Sequence, residues 1–510
     1  MSFLTRHPVG VPVPQTPHAV CSSLPTLRDV IGYEEKDPAV LSALQAGYPR
    51  FIRHPLVRQA TAVAARQANV DPERIVPLGS VAMTSALAAF LGLPETDVAA
   101  LELPGFQGAL LPSASAERTQ QAARFLQHTG TGLSSRAAEA FLHAQGVLGT
   151  AFEETRVPSA NEARATLTAC LAQTTSASPD DLALCASGMN AFYALFNAVN
   201  AVQSPRGRDL WLQWGWAYVD TTQVLRHFNP AGGESLVRRL NVQNLEALER
   251  AFADQGDRIA GVIAEAPTNP LLQCGDCRRL AELARTHGAF LVLDPSTVGL
   301  ANLRLLPYAD AITSSLTKYW ANEGDVMAGM VAFNASSPLY DAVRTAFGPG
   351  QVELFAADLQ RLAHEAQAMP EVTQAINANT RALAQWLESL PEISAVHWAG
   401  DDATARHLHA LDPDWGPGAL ITVEVNGPME PFFDALRLIK GPSFGLRFSL
   451  SCPFMFLAHY DQVRTEAGRR ELLSQGLNPD LIRLSVGTES QAAIRSAITD
   501  SVTALRKNAR

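Results

Sequence analysis

The chain has 510 residues, which at roughly 150 residues per domain predicts about three domains, or two with large insertions. Hydrophobic residues make up 47% and charged residues 18%, and 40 Lys+Arg against 50 Asp+Glu leave a net charge of -10, the make-up of a globular, mildly acidic protein. That acidity argues against nucleic acid as a partner, because phosphate-backbone binding needs clustered Lys and Arg. No run approaches the roughly 18 apolar residues of a membrane span. The opening stretch MSFLTRHPVGVPVPQTP lacks the apolar segment of a signal peptide, so a cytoplasmic location is expected.

Taken in order, residues 1–54 are Pro-rich with no strong period and predict an extended arm lying over another surface. Residues 55–165 carry Ala-rich stretches such as LVRQATAVAARQ with apolar positions at helical spacing, predicting a helical region with short strands. In 166–344 short apolar runs alternate with amphipathic stretches. The predicted strands are Leu182–Cys185, Asp209–Gln213, Ile259–Ala264, Ala289–Leu293, Ala311–Ser314 and Met327–Phe333. That alternation implies an α/β fold, a mostly parallel sheet flanked by helices, whose ligands sit at the carboxyl ends of the strands. Residues 345–510 read as a smaller C-terminal α+β domain, with long helical patterns and then shorter strands such as ALITVEV and LIRLSVG.

The cysteines, Cys21, Cys170, Cys185, Cys274, Cys277 and Cys452, are too sparse for a disulfide-stapled secreted protein. Cys274 and Cys277 have the spacing of a redox or zinc pair, and His407 and His409 that of two ligands. Neither has the further ligands a site needs, so no metal is expected.

Four features at predicted strand ends carry chemistry. Ser187-Gly188-Met189 follows LALC and opens a helix, whose N-terminal N–H groups receive an anion or merely make an ordinary cap. Asp294 ends the apolar run GAFLVLD and needs a compensating partner, which a protonated ring nitrogen, a metal or a local cap supplies. Lys318, after Ser315-Leu316-Thr317, is an amine placed for a Schiff base, with hydroxyls beside it for a phosphate. Asn269, between Pro267 and Pro270, presents an amide to a ligand oxygen. Amine, carboxylate, amide and anion cradle are together the contacts that pyridoxal phosphate requires, and neither a G-x-G-x-x-G nor a G-x-x-x-x-G-K-S/T stretch competes for the sheet.

These residues resemble the Cys/Met-metabolism family of pyridoxal-phosphate enzymes in Ser187–Met189, Glu265–Pro270, Ser315–Lys318 and the late Arg-Leu-Ser-Val-Gly at Arg483–Gly487. Stretches such as HAVCSSLPTLRDVIGYEE, GYPRF, QHTGTGLSSRAAE and GPSFGLRFSLSCPFMFLAHY are similar to the long fungal-type cystathionine γ-synthases. The resemblance implies a type I pyridoxal-phosphate transferase fold with an N-terminal extension. It implies Lys318 as Schiff-base lysine and proton shuttle, Asp294 on the pyridinium nitrogen, and Gly188, Met189, Ser315 and Thr317 on the phosphate. Tyr218 would stack on the cofactor ring, with Trp214 and Trp216 as rivals. Tyr48 and Arg50 would reach the phosphate of a neighbouring subunit, making the protein a homodimer or homotetramer. Arg483 would clamp the substrate α-carboxylate, with Ser449 near it.

The implied reaction is γ-replacement on an O-acylhomoserine by L-cysteine, in methionine biosynthesis. A cystathionine lyase, an O-acylhomoserine sulfhydrylase or another γ-substitution enzyme is the alternative. Two departures from the family pattern, Ala321-Asn322-Glu323-Gly324-Asp325 after the lysine and Val219-Asp220 after Tyr218, are expected to border the substrate pocket and to change substrate choice.

Overall fold

A computed structural model describes residues 4–47 and 52–508. Its centre is a seven-stranded sheet: β1 (Leu182–Cys185), β2 (Leu210–Trp214), β3 (Leu236–Arg239), β4 (Ile259–Glu265), β5 (Phe290–Asp294), β6 (Ala311–Ser315) and β7 (Gly329–Phe333), in the spatial order β1-β7-β6-β5-β4-β2-β3. All neighbours are parallel except β7, which runs antiparallel to both β1 and β6. Strands β2, β4 and β7 are buried along their whole length, as strands covered on both faces must be.

The sequence pattern finds six of the seven strands to within about two residues. It misses β3, whose four residues are all half-buried. An edge strand ending in two arginines carries no apolar run for the pattern to detect.

Helix α1 (Gly188–Gln203) follows β1 and is apolar nearly all round, because it is packed between the sheet and the Ala116–Thr129 and Tyr340–Ala346 helices. Helix α2 (Val219–His227) follows β2. Helix α3 (Cys277–His287) starts on the Asp276 cap, buries Leu280, Ala281, Leu283 and Ala284, and stops at Gly288, whose φ of +67° is the left-handed conformation that ends helices.

The C-terminal domain is a five-stranded sheet of β8 (Ile393–Trp398), β9 (Leu420–Val425), β10 (Ile439–Lys440), β11 (Leu450–Cys452) and β12 (Ile482–Ser485), ordered β8-β9-β12-β11-β10. The Met369–Glu388 and Gln491–Asn508 helices pack together beside it. Residues 55–165 combine helices with a three-stranded antiparallel sheet of Ile75–Pro77, Phe106–Leu110 and Ala99–Leu103.

The first segment is not the extended arm that its Pro content predicts. It forms a two-stranded ladder, Pro12–Val13 with Cys21–Ser22, and two helices, Leu27–Glu34 and Pro38–Ala43. It folds onto its own chain's C-terminal domain, where Val13, Leu24, Val30 and Tyr33 share a core with Ile439, Phe448 and Leu450. The Leu27 N–H donates to Asp434 Oδ1 at 2.8 Å, and the buried Lys440 donates to the Pro25 carbonyl at 3.1 Å.

Candidate active site

The carboxyl ends of β1, β4, β5 and β6 meet the C-terminal domain at a cavity of about 160 Å³. The strands aim their last residues into it, which is where parallel sheets hold ligands. Of the residues singled out in the sequence, Ser187, Gly188, Met189, Tyr218, Asn269, Asp294, Ser315, Thr317, Lys318 and Arg483 all line it. Trp214 and Trp216 do not line it and are buried in two separate apolar clusters, so of these three aromatics Tyr218 alone lines the cavity.

At the start of α1, Ser187 Oγ accepts from the Asn190 N–H at 3.0 Å and lies 3.0 Å from the Gly130 carbonyl, to which it donates. Gly188 sits so close to β6 that a Cβ there would come 2.8 Å from Ser315 Cβ. The result is a recess walled by backbone, at the positive end of a helix. Ser315 is oriented by its N–H, which donates to Ser296 Oγ at 2.9 Å. The Thr317 hydroxyl accepts from the Ala328 N–H at 3.0 Å.

Asp294 and Glu265 end neighbouring parallel strands in direct register, so two carboxyls share one end of the cavity. Asp294 accepts from the Ser296 N–H at 2.8 Å, and burial pushes its carboxyl up to about 6. Glu265 accepts from the Tyr218 N–H at 2.5 Å, and is pushed well above the carboxylate range by burial and then by the charge of Asp294. A cation brought beside such a buried pair favours its ionised form.

Lys318 Nζ donates to Ser443 Oγ at 3.3 Å and lies 5.2 Å from the Phe444 ring centre. The turn that carries Lys318 is locked by Tyr319, a non-glycine residue at φ 64°. Its phenol donates to the Thr297 carbonyl at 2.7 Å and accepts from the Ala419 N–H at 2.9 Å. Arg483 lies between the Phe444 and Phe454 rings, at 5.2 and 4.7 Å, and donates to Asn269 Oδ1 at 3.2 Å and to the Pro442 carbonyl. The Asn269 oxygen is therefore engaged by the arginine, and its Nδ2 is the atom left for a ligand oxygen.

Ser449 does not line the cavity: its hydroxyl donates to Glu489 at 2.9 Å and accepts from the Gly487 N–H at 2.9 Å. Tyr48 and Arg50 lie outside the described residues. Gly47 and Ile52, which flank them, line a larger cavity of about 540 Å³ that shares Met327 with the smaller one.

The two departures separate. Val219 lines the cavity, whereas Asp220 is buried against His128 Nδ1 at 2.9 Å and Gln127 at 3.0 Å. The Ala321–Asp325 stretch does not border the cavity as expected. Glu323 and Asp325 turn into a buried ion network, where Asp325 meets Arg136 at 3.4 Å and Arg361 at 3.1 Å, because two buried guanidiniums there need compensating charge.

Cys274 and Cys277 are both buried at the start of α3 and do not line the cavity. Sequence reasoning missed Ser296, Ser443, Tyr33 and Glu34 as cavity residues. The last three lie inside the stretches GPSFGLRF and VIGYEE, whose only signal was their likeness to relatives.

The profile of the Cys/Met metabolism PLP-dependent enzymes matches residues 111–503. The chain belongs to this family. As a member it is a pyridoxal-phosphate-dependent enzyme acting on amino acids, and the site fits the cofactor on its own terms. The recess between Gly188 and Ser315 suits a phosphate, and the Asp294–Glu265 pair, whose pKa values are raised by burial, would be stabilised as carboxylates by the positive charge of a pyridinium nitrogen.

This Cys/Met-metabolism enzyme is 35% identical over 497 residues to the L-2-amino-4-chloropent-4-enoate dechlorinase/desaturase of Streptantibioticus cattleyicolor, covering 96% of this chain and 97% of that protein. It is 25% identical to the cystathionine gamma-synthase of Neurospora crassa, over 96% of this chain and 97% of that one. The crystal structure of cystathionine gamma synthase from Xanthomonas oryzae pv. oryzae in complex with cystathionine superposes with a TM-score of 0.58 at 23% identity, over 71% and 90% of the two chains. That match shows the shared type I pyridoxal-phosphate fold. Among the described residues no helix is long and apolar enough to cross a membrane.

Proposed function

We propose that the protein expels a leaving group from C4 of an L-α-amino acid whose side chain is short and uncharged. The observation that carries this reading is the cavity's charge. Among the described residues its only cations are Lys318 and Arg483, while Phe192, Val219, Phe444, Phe454, Leu457 and Ala458 make the rest of the wall largely apolar. One guanidinium suits one α-carboxylate by a bidentate contact. The two relatives also meet at C4: one is named for a 4-chloro amino acid, the other for synthesis at the γ-carbon.

In this reading pyridoxal phosphate supplies the electron sink. Arg483 holds the α-carboxylate and Lys318 takes the proton from Cα, with Ser443 orienting its Nζ. Once Lys318 has given up that proton it takes a second one from Cβ, and the C4 substituent departs with its bonding pair, as chloride or carboxylate. Tyr218 would stack on the cofactor ring, Asp294 would pair with the ring nitrogen, and Gly188, Met189, Ser315 and Thr317 would hold the phosphate. Tyr48 and Arg50 would serve the phosphate of a neighbouring subunit in a homodimer or homotetramer.

A second reading, favoured by the full-length likeness to the Neurospora synthase, is γ-replacement of an O-acylhomoserine by L-cysteine to give cystathionine. Incubating the holoenzyme with L-2-amino-4-chloropent-4-enoate and with O-acetylhomoserine, each with and without cysteine, separates the two. Halide or acetate release independent of cysteine is the expected result. Cystathionine formed only with cysteine supports the replacement reading, and no release from either donor refutes both.

A further inference from the structure

The wall of the cavity is not built by the sheet and the C-terminal domain alone. Helix Leu27–Glu34 of the first segment ends at the cavity, and its last two residues, Tyr33 and Glu34, line it beside Leu457 and Ala458 of the Phe454–Ala458 helix. This placement is anchored. Tyr33 is 2% exposed in the core shared with the C-terminal domain, and Tyr460 Oη donates to Glu35 at 2.7 Å. Glu34 thereby joins the wall of a cavity that two other acids, Glu265 and Asp294, already line, and whose two cations have other partners in Ser443 and Asn269.

We infer that Glu34 is the charge filter of the substrate cavity, rejecting α-amino acids whose side chain ends in an anion and admitting neutral ones. The inference rests on the reading that the cavity takes an L-α-amino acid substituted at C4, and it names the class: donors with an uncharged leaving-group substituent, such as chloro or acetoxy, and not succinyloxy or phosphooxy. A leaving chloride or carboxylate takes up no proton on departure, so the reaction itself gives this acid no proton to deliver; its effect is on what enters.

The ionisation of Glu34 makes the filter pH-dependent. Burial pushes its carboxyl up to about 7, opposed by Lys36 and reinforced by Asp461. The other ionisable groups that face it among the described residues are Tyr33 on its own helix and Tyr460 on the Tyr460–Val463 helix. The Phe454–Ala458 helix packed against it contributes none. An anionic side chain entering the cavity requires Glu34 to take up a proton. Above pH 7 that requirement weakens binding by about tenfold for each further pH unit, and below pH 6 it costs almost nothing.

The test uses two unreactive side chains of equal length, L-norleucine and L-2-aminoadipate, titrated into the holoenzyme by calorimetry between pH 6 and 8.5. In the wild type the ratio of their dissociation constants is expected to rise by about tenfold or more across that range. In Glu34→Gln the ratio should be small and flat, with the visible absorbance of the bound pyridoxal phosphate unchanged as the check that the protein is intact. A flat ratio in the wild type, or a rise that persists in Glu34→Gln, overturns the inference, and so does failure of both ligands to bind. Norleucine bound without turnover of any C4-substituted donor would instead refute the proposed reaction and leave the filter standing.

Discussion

Replacing Gly188 by Ala tests the anion cradle with little change of chemistry elsewhere. The added Cβ would lie 2.8 Å from Ser315 Cβ and 3.0 Å from its Cα, against an optimal carbon–carbon separation of about 3.5–4.0 Å. Both elements are held from behind, Ser315 by the β6–β7 ladder and Ser187 by its hydrogen bonds to Asn190 and Gly130. Relief therefore requires the first turn of α1 and the end of β6 to separate by nearly 1 Å, an overpacking cost of about 1–3 kcal/mol. The N–H groups that face the recess move with it, and losing one hydrogen bond to a charged phosphate, worth about 1.5–3 kcal/mol, weakens cofactor binding by roughly tenfold to a hundredfold. Titrating apoprotein with pyridoxal phosphate and following the visible absorbance measures this directly. Gly149→Ala, where a Cβ meets nothing within 4 Å, is the matched control. If Gly188→Ala binds the cofactor with wild-type affinity, the recess is not the phosphate cradle.

The acid pair and the buried ion network give two further expectations. In the folded apoprotein Asp294 keeps its proton up to about pH 6, whereas an unfolded chain releases it near 3.8. The folded state thus binds more protons between those values, and stability falls as pH rises through that window, by up to about 3 kcal/mol. Melting curves of cofactor-free protein from pH 4 to 7 should show that decline lessened in Asp294→Asn, and identical slopes would contradict the assignment. Arg136 is 1% exposed and bonds Glu154 at 2.7 Å and Asp358 at 3.0 Å. Arg136→Met leaves those acids without their shared cation and should cost about 3–5 kcal/mol in denaturant unfolding; a loss under about 1 kcal/mol would show that the remaining Arg361 suffices.

Much of the site was legible because its residues sit at strand ends. A buried strand is an apolar run, and the residue that breaks the run, Asp294 after FLVL or Ser315 after AITS, is by construction at the mouth of the sheet. Lys318 and Ser187 are found by the same logic. The resemblance alone puts Ser449 near the substrate carboxylate, whereas its hydroxyl donates to Glu489, 40 residues on. The Ala321–Asp325 stretch misled as well. Adjacency to Lys318 along the chain says nothing of direction, and the tight turn at Tyr319 sends the next residues of the chain toward Arg136 and Arg361.

The sequence by itself determined the fold class, the strand ends and the cofactor, since each is written in a periodicity of a few residues and in the polar residue that ends it. Tertiary structure alone decided which remote segments complete the cavity. The contact that seats the first segment joins Leu27 to a carboxylate 407 residues away. Nothing in the local pattern of VIGYEE marks Tyr33 and Glu34 as cavity residues. Their role comes from burying one face of a short helix against a domain at the other end of the chain, and burial between distant segments leaves no periodic trace in either.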